Sequence, residues 1–131
     1  MIQTKETTLD GYTYRVTQFT ATKGLEVFAL LAKPLAKAYN AAGTDDIGAM
    51  LMCAVQDLDI QSILALCKEY AKAAQVSGGA EGLAEGTHLS SIYEMHFAGD
   101  SLLRLLAFAK FATQVNYSGF LDLERAKALL A

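Results

Sequence analysis

The amino-acid sequence predicts a mainly α-helical (α+β) fold in which a helical bundle packs on a small, two-stranded antiparallel β-hairpin at the N-terminus. Three observations support this fold class. Alanine and leucine are the commonest residues in a chain with one proline and no tryptophan, and such a composition favours helix. Apolar residues recur with helical spacing over most of the chain after Phe19. Before that point, threonine, tyrosine and valine flank an Asp-Gly dipeptide, which is typical of a tight hairpin turn.

The length and charge of the chain restrict its organisation and its partners. A chain of 131 residues suits a single domain, 1–131, which can bury a hydrophobic core without disulfides. Its net charge of −3 offers no basic surface to nucleic acid. No stretch approaches the roughly 20 apolar residues of a membrane-spanning helix, and the first residues lack the apolar run of a signal peptide. We therefore expect a cytoplasmic protein in which Cys53 and Cys67 are buried free thiols.

Residues 1–19 are predicted to form the hairpin, with strands Gln3–Leu9 and Tyr12–Phe19 joined by Asp10-Gly11. Alternation along the second strand places four residues on one face: Tyr12, Tyr14, Val16 and Gln18. Since an isolated two-stranded hairpin is marginal in water, two arrangements remain open. One face packs on the helices of the same chain, or the edge of the hairpin pairs with another chain and builds an oligomer.

Residues 20–76 are predicted to form three amphipathic helices. The first runs to about Asn40 and is expected to kink at Pro34, which lacks a backbone donor and crowds the preceding turn. Residues 47–58 and 59–74 form two further helices joined by a tight turn. The acidic residues near their starts are explained as helix caps, because carboxylates accept from the free N–H groups of a first turn.

A glycine-rich stretch separates these helices from the C-terminal helices of residues 90–131. Four glycines and few apolar residues lie in Ser77–Gly86, so residues 77–89 are predicted to form a mobile loop. A short extended piece at Gln75–Val76 or His88–Leu89 is left open. The loop is followed by a helical turn that ends at Met95.

A long C-terminal helix is predicted to begin at Asp100 or Ser101 and to run to about Asn116. One of its faces carries Leu102, Leu105, Leu106, Ala109 and Ala112, and a second carries Phe108, Phe111 and Val115. A helix that is apolar nearly all round requires contact on more than one side. The sequence leaves two interpretations open: burial inside its own domain, or one face that waits for a partner protein. A final short helix is predicted over residues 123–130.

Residues that could carry chemistry do not form a known motif. His88 and His96 are eight positions apart with Glu94 nearby, whereas a metal site needs three or four converging ligands. The serines and cysteines lack the surroundings of an activated nucleophile, and the glycines do not form a phosphate-binding loop. We therefore predict no catalytic residues, no cofactor and no metal, and treat an enzyme or ligand-binding domain with an apolar pocket as the weakest alternative.

The long helix and the hairpin together show a family pattern. Phe97 and Gly99 open the leucine-rich helix, and Asn116, Tyr117 and Phe120 close it as Asn-aromatic-x-x-Phe. The helix between them and the hairpin contribute the other matching residues: Leu102, Leu105, Leu106, Ala109 and Val115, and Gly11, Tyr14, Val16, Thr17 and Gln18. This pattern resembles the phage tail assembly chaperones. Its residues are structural, without a catalytic signature.

The resemblance implies a protein that binds the tape measure protein, keeps it soluble and recruits tail tube subunits in the bacterial host cytoplasm. A helix-in-groove contact would mask apolar helical stripes of the tape measure protein. The candidate partner-binding residues for this contact are Phe97, Phe108, Phe111, Val115, Tyr117 and Phe120. The hairpin edge is a second candidate surface and would also allow a homo-oligomer. The alternative function is a small structural component of a phage tail or baseplate that is retained in the virion.

Overall fold

The computed structural model describes residues 2–30 and 60–121 of the chain. This part contains four strands and four helices. In chain order they are β1 Thr4–Leu9, β2 Tyr12–Thr17, α1 over residues 21–30, α2 Ile60–Lys72, β3 Ala74–Gly78, β4 Leu83–His88, α3 Leu89–His96 and α4 Leu102–Leu121. A 3-10 turn, Gly99–Ser101, leads directly into α4.

The predicted fold class is wrong, because the sheet has four strands where the sequence indicated two. All neighbouring strands are antiparallel and their order is β1-β2-β3-β4, so β2 and β3 lie in the centre. The second hairpin, β3–β4, occupies most of the stretch that was expected to form a mobile loop, residues 77–89. The fold is therefore an antiparallel sheet covered by helices, and the helices do not form a bundle on a two-stranded hairpin.

The glycines of this stretch form a tight turn, which explains why the sequence predicted a mobile loop here. Gly78, Gly79 and Gly82 have φ angles of 81°, 77° and 63°, a backbone conformation that glycine adopts without steric cost. Gly79 also lies against the ring of Tyr12, where an added Cβ would come within 2.1 Å of Cε1. A glycine-rich composition is common to flexible loops and to tight, closely packed turns, so composition did not distinguish them.

The first hairpin is confirmed. Asp10 and Gly11 have φ angles of 53° and 82°, and two consecutive positive values are those of a type I′ turn. Leu9 pairs with Tyr12 across this turn. Because β2 also pairs with β3, the free edge of this hairpin is β1.

The helices cover one face of the sheet and form the core with it. Tyr14 and Val16 of β2 are fully buried, and Val76 of β3 is 1% exposed. They belong to one cluster with apolar side chains of all four helices. The predicted packing of the Tyr14 face on the chain's own helices is confirmed. The opposite face is polar and carries the Arg15–Glu6 ion pair, at 3.0 Å.

Four sequence predictions lie outside the described residues. They are the end of the first helix at Asn40 with its kink at Pro34, the helix 47–58, the final helix 123–130, and the burial of Cys53. Cys67 is described, and it is a buried free thiol as expected. Burial raises the pKa of this thiol to about 11, so it stays protonated and unreactive at neutral pH.

Candidate interaction surface

The structure places most of the predicted partner-binding residues in the protein interior. Four of them are at most 4% exposed and share one core cluster: Phe97, Phe108, Val115 and Tyr117. Phe111 is half-buried against that cluster, and the side chain of Phe120 lies outside the described part. Partner binding by these residues stays a prediction. A partner could reach the buried ones only if the helices separated from the sheet.

The C-terminal half of α4 is enclosed by α1 and α2. The Tyr117 hydroxyl donates to the Gly24 carbonyl of α1 at 2.9 Å. The Thr113 hydroxyl donates to the Ala109 carbonyl, so the hydroxyl of Tyr70 in α2 donates to Thr113 Oγ1, at 2.7 Å. Burial raises the pKa of Tyr70 and of Tyr117 well above the usual range. These tyrosines are therefore neutral hydrogen-bond donors that hold three helices together.

The two sequence blocks of the family pattern meet at this half of α4. The backbone N–H of Phe19 donates to Asn116 Oδ1 at 2.8 Å, and Gln18 Nε2 donates to the Val115 carbonyl at 2.9 Å. Asn116 Nδ2 in turn donates to the Ala112 carbonyl. The asparagine that closes the family pattern thus attaches the segment after β2 to the long helix.

The N-terminal half of α4 exposes a group of apolar side chains. Leu102, Leu103 and Leu106 are 61%, 79% and 43% exposed, and Met95 at the end of α3 is 85% exposed. We refer to these four residues as the leucine surface. Single exposed apolar residues need no explanation, whereas four of them within twelve residues of chain make this end of α4 a candidate interaction surface.

The leucine surface continues a helix face that is covered further along the chain. At 100° per residue, Leu106, Thr113 and Tyr117 project within about 40° of one another. Thr113 and Tyr117 are 4% and 2% exposed, under α1 and α2, while Leu106 is open to solvent. The same face of α4 is therefore packed at one end and uncovered at the other.

Sequence reasoning centred the partner-binding role on the face of Phe108, Phe111 and Val115, and it did not single out Leu103. The available signal was the group of four leucines in the first two turns, at positions 102, 103, 105 and 106. Their directions span about 160° of the helix circumference, which is wider than the apolar stripe of about 100° that a helix usually buries against its core.

A largely buried arginine lies on the opposite side of the first turns of α4, about 160° from Leu102 and Leu106 in direction. The side chain of Arg104 is 10% exposed, and its Nη2 donates to the His96 carbonyl at 2.8 Å. Its guanidinium carbon lies 4.5 Å from the centre of the Tyr12 ring, and Nη1 is 3.9 Å from Asp10 Oδ2. Arg104 Nε is buried without a hydrogen-bond partner among the described residues. The arginine thus joins the start of α4 to α3 and to the first hairpin.

Two tyrosines and a histidine complete this polar network. A 2.6 Å hydrogen bond joins the Tyr14 hydroxyl to His96 Nε2, and the Tyr12 hydroxyl donates to both carboxylate oxygens of Glu81, at 2.8 and 2.6 Å. Burial, and then the charge of Arg104, lower the pKa of His96, while burial raises the pKa of Tyr14 to about 12. Both groups are neutral at pH 7 and are hydrogen-bonded to each other, so they stabilise the contact between β2 and α3.

The other grooves and clusters offer little chemistry. A groove of about 470 Å³ lies at the end of the sheet opposite the Asp10-Gly11 turn. Its lining residues include Arg15, Lys72 and His88. Within residues 2–30 and 60–121, no group of three or more His, Cys, Asp or Glu side chains could hold a metal ion. No helix in this same part of the chain is both long and apolar enough to cross a membrane.

These features define a class: a small α+β domain with an open apolar helix face, as in proteins that bind other proteins. The comparison with protein families identifies the particular family within this class. The family model of the phage tail assembly chaperone protein, TAC, matches residues 10–129. The chain belongs to this family, and the resemblance seen in the sequence is confirmed. The comparisons with curated proteins and with solved structures gave no match.

Proposed function

We propose that this chaperone binds the tape measure protein directly and recruits tail tube subunits to it, in the cytoplasm of the bacterial host. Membership of the family supports a role in tail assembly. The observation that carries the proposal of direct binding is the leucine surface, because exposed apolar groups of this kind are covered by a partner's apolar groups when proteins associate.

The spacing of these leucines suits a helical partner. Leu102 and Leu106 are four positions apart, and Leu103 and Leu106 are three apart, so they form adjacent ridges on α4. An apolar stripe on a helix of the tape measure protein packs between such ridges. Burial of one leucine contributes about 1.5–3 kcal/mol, and association costs at least about 4 kcal/mol. The gain from burying a few leucines exceeds this cost by only a small margin, so the contact is reversible, as a chaperone requires.

Phe111 is proposed as a second, separate contact, because it lies on the other apolar face of α4, about 80° from Leu103 and about 140° from Leu106. Its side chain is half-buried, so a partner reaches it without separating α4 from the core. The buried aromatic residues Phe97, Phe108 and Tyr117 support the contact indirectly, since they hold α4 in place.

Co-expression with the tape measure protein tests the proposal. We expect the wild-type chain to retain the tape measure protein in a pull-down, and the variant Leu103→Ser to lose it. The matched control is Leu25→Ser, because Leu25 is 65% exposed on α1, away from the leucine surface. A folded wild-type chain that retains no tape measure protein would refute the proposal. Equal retention by both serine variants would remove the leucine surface from it.

A second candidate function is a structural component that remains in the finished tail. The free edge of β1 favours it, because β1 pairs only with β2 in the described sheet and a free edge can accept a strand from another protein. Mass spectrometry of purified phage particles separates the two functions. The chain in stoichiometric amounts would support the structural role and contradict the chaperone role.

A further inference from the structure

We infer that Arg104 is the positioning residue of the leucine surface: it holds the start of α4 in the rotation that turns Leu102, Leu103 and Leu106 outward. The effect of Arg104 on partner binding rests on the proposed function. Its effect on the position of the start of α4 does not depend on that function.

The start of α4 has an inverted distribution of side chains. Arg104 is the one charged residue in the sequence Leu-Leu-Arg-Leu-Leu-Ala-Phe-Ala. A long cationic side chain ordinarily extends to water, and leucine is ordinarily buried. Here Arg104 is 10% exposed and Leu103, its neighbour in the chain, is 79% exposed. Burial of the charge and exposure of the leucine are both unfavourable, so specific contacts of the arginine must offset them.

Those contacts come from two neighbouring elements. His96 is the last residue of α3, where carbonyl groups lack a partner within the helix, and Arg104 Nη2 satisfies its carbonyl at 2.8 Å. The rings of Tyr12 and Phe97, at 4.5 and 5.8 Å from the guanidinium carbon, receive the cation on their faces. Asp10 adds a carboxylate at 3.9 Å. The guanidinium therefore attaches the first turn of α4 to α3 and to β2.

The alternative arrangement is a rotated or loosened first turn. Consecutive residues differ by 100° in direction, so Leu103 would reach the direction that Arg104 now takes only after a rotation of about 100°. The packing of Leu105 and Phe108 on the core opposes such a rotation. The contacts of Arg104 with α3 and β2 fix the first turn itself, so their loss would loosen this turn and disorder the leucine surface.

Two variants of the full chain test this role. Arg104→Met removes the charge but keeps an unbranched apolar side chain, and replacement of a buried charge by an apolar group is often tolerated without loss of stability. Arg104→Lys keeps the cation over the rings and loses the planar fork. Arg15→Met is the matched control, because Arg15 lies on β2 with its side chain 54% exposed.

Hydrogen exchange followed by mass spectrometry measures the effect without a partner. In Arg104→Met we expect the amides of residues 97–106 to exchange at least about tenfold faster, while those of β2 and α2 keep their rates, as in local opening. Arg104→Lys is expected to restore part of the protection, and Arg15→Met to match the wild type. Unchanged exchange over residues 97–106, or a uniform increase along the whole chain, would overturn the inference.

The pull-down with the tape measure protein gives the second readout. Arg104→Met should reduce the retained tape measure protein about tenfold, which corresponds to 1.4 kcal/mol, under conditions in which its circular dichroism matches the wild type. Retention equal to the wild type, despite faster local exchange, would also overturn the inference. If the wild type retains no tape measure protein, the proposed function fails, and the exchange data still decide whether Arg104 positions the start of α4.

Discussion

The hydroxyl of Tyr14 and the Nε2 atom of His96 lie 2.6 Å apart in the core, although 82 positions separate them in the sequence. Tyr14 is fully buried and His96 is 8% exposed. Their hydrogen bond joins the centre of the sheet to the end of α3, next to Arg104. A buried hydroxyl and a buried imidazole nitrogen each need a hydrogen-bond partner, and here each group is the partner of the other.

The substitution Tyr14→Phe tests the contribution of this bond. It leaves His96 Nε2 buried without a partner, which should lower the free energy of unfolding by about 1–3 kcal/mol. In the control Tyr12→Phe, the lost partner is the carboxylate of Glu81, which is exposed to water, so we expect a loss of at most about 1 kcal/mol. Urea unfolding measures both. Equal losses would contradict the structural importance of the buried pair.

Stability should depend on pH through His96. The ordinary pKa of histidine is 6.5, and burial together with Arg104 lowers the pKa of His96 in the folded chain. As the pH falls below 6.5, the unfolded chain therefore binds more protons than the folded chain, and the free energy of unfolding decreases. Urea unfolding at several pH values should show this decrease in the wild type and in the control His88→Gln, where the histidine is exposed on β4. His96→Gln should lose this part of the decrease, and an unchanged pH profile would contradict the assignment.

The turn of the second hairpin should distinguish between two glycines. Gly79→Ala and Gly82→Ala both place a side chain at a positive φ, which costs about 1–2 kcal/mol. At Gly79 the new Cβ would also overlap the Tyr12 ring, 2.1 Å from Cε1, whereas at Gly82 nothing lies within 4 Å. We expect Gly79→Ala to be the more destabilising by about 1–3 kcal/mol, measured by thermal unfolding. The reverse order would show that this turn does not pack on Tyr12.

The asparagine of the family pattern should be structural. Asn116→Ala removes the acceptor of the Phe19 N–H and the donor to the Ala112 carbonyl, so it should cost about 1–3 kcal/mol of unfolding free energy. Ser118→Ala, at an exposed position two residues further along α4, should change it by less than about 0.5 kcal/mol. Chemical denaturation compares the two variants. A loss at Asn116 no larger than at Ser118 would remove the structural explanation of the motif.

Phe108 and Leu103 separate the core of α4 from its surface. Phe108 is fully buried, so Phe108→Ala should reduce the free energy of unfolding by about 3–5 kcal/mol. Leu103→Ala, at a side chain that is 79% exposed, should change it by less than about 0.5 kcal/mol. Urea unfolding and the tape measure pull-down should be read together. If Phe108→Ala keeps its stability and loses the partner, the sequence-based assignment of Phe108 to the partner site is the better one.

The two hairpins show how far local reasoning extends. Asp10-Gly11 between β-forming residues was sufficient to predict the first hairpin, because the turn chemistry is contained in the dipeptide. The second hairpin is held by long-range pairing, with Val76 opposite Tyr14 and Ala74 opposite Val16. Its glycines and short polar side chains have low intrinsic strand preference. The pairing partner in β2, about 60 residues earlier in the chain, is what makes β3 a strand.

The amino-acid sequence alone was enough to place the first turn, to place the start of α4, and to connect the chain with its family, whereas α4 continues past the predicted end at Asn116 to Leu121. These properties depend on neighbouring residues and on helical periodicity, which are present in the order of the residues. Packing decided which side of α4 is covered, and it placed Arg104 inside and Leu103 outside. Periodicity establishes which side chains share a face, whereas the neighbour that covers a face comes from distant parts of the chain.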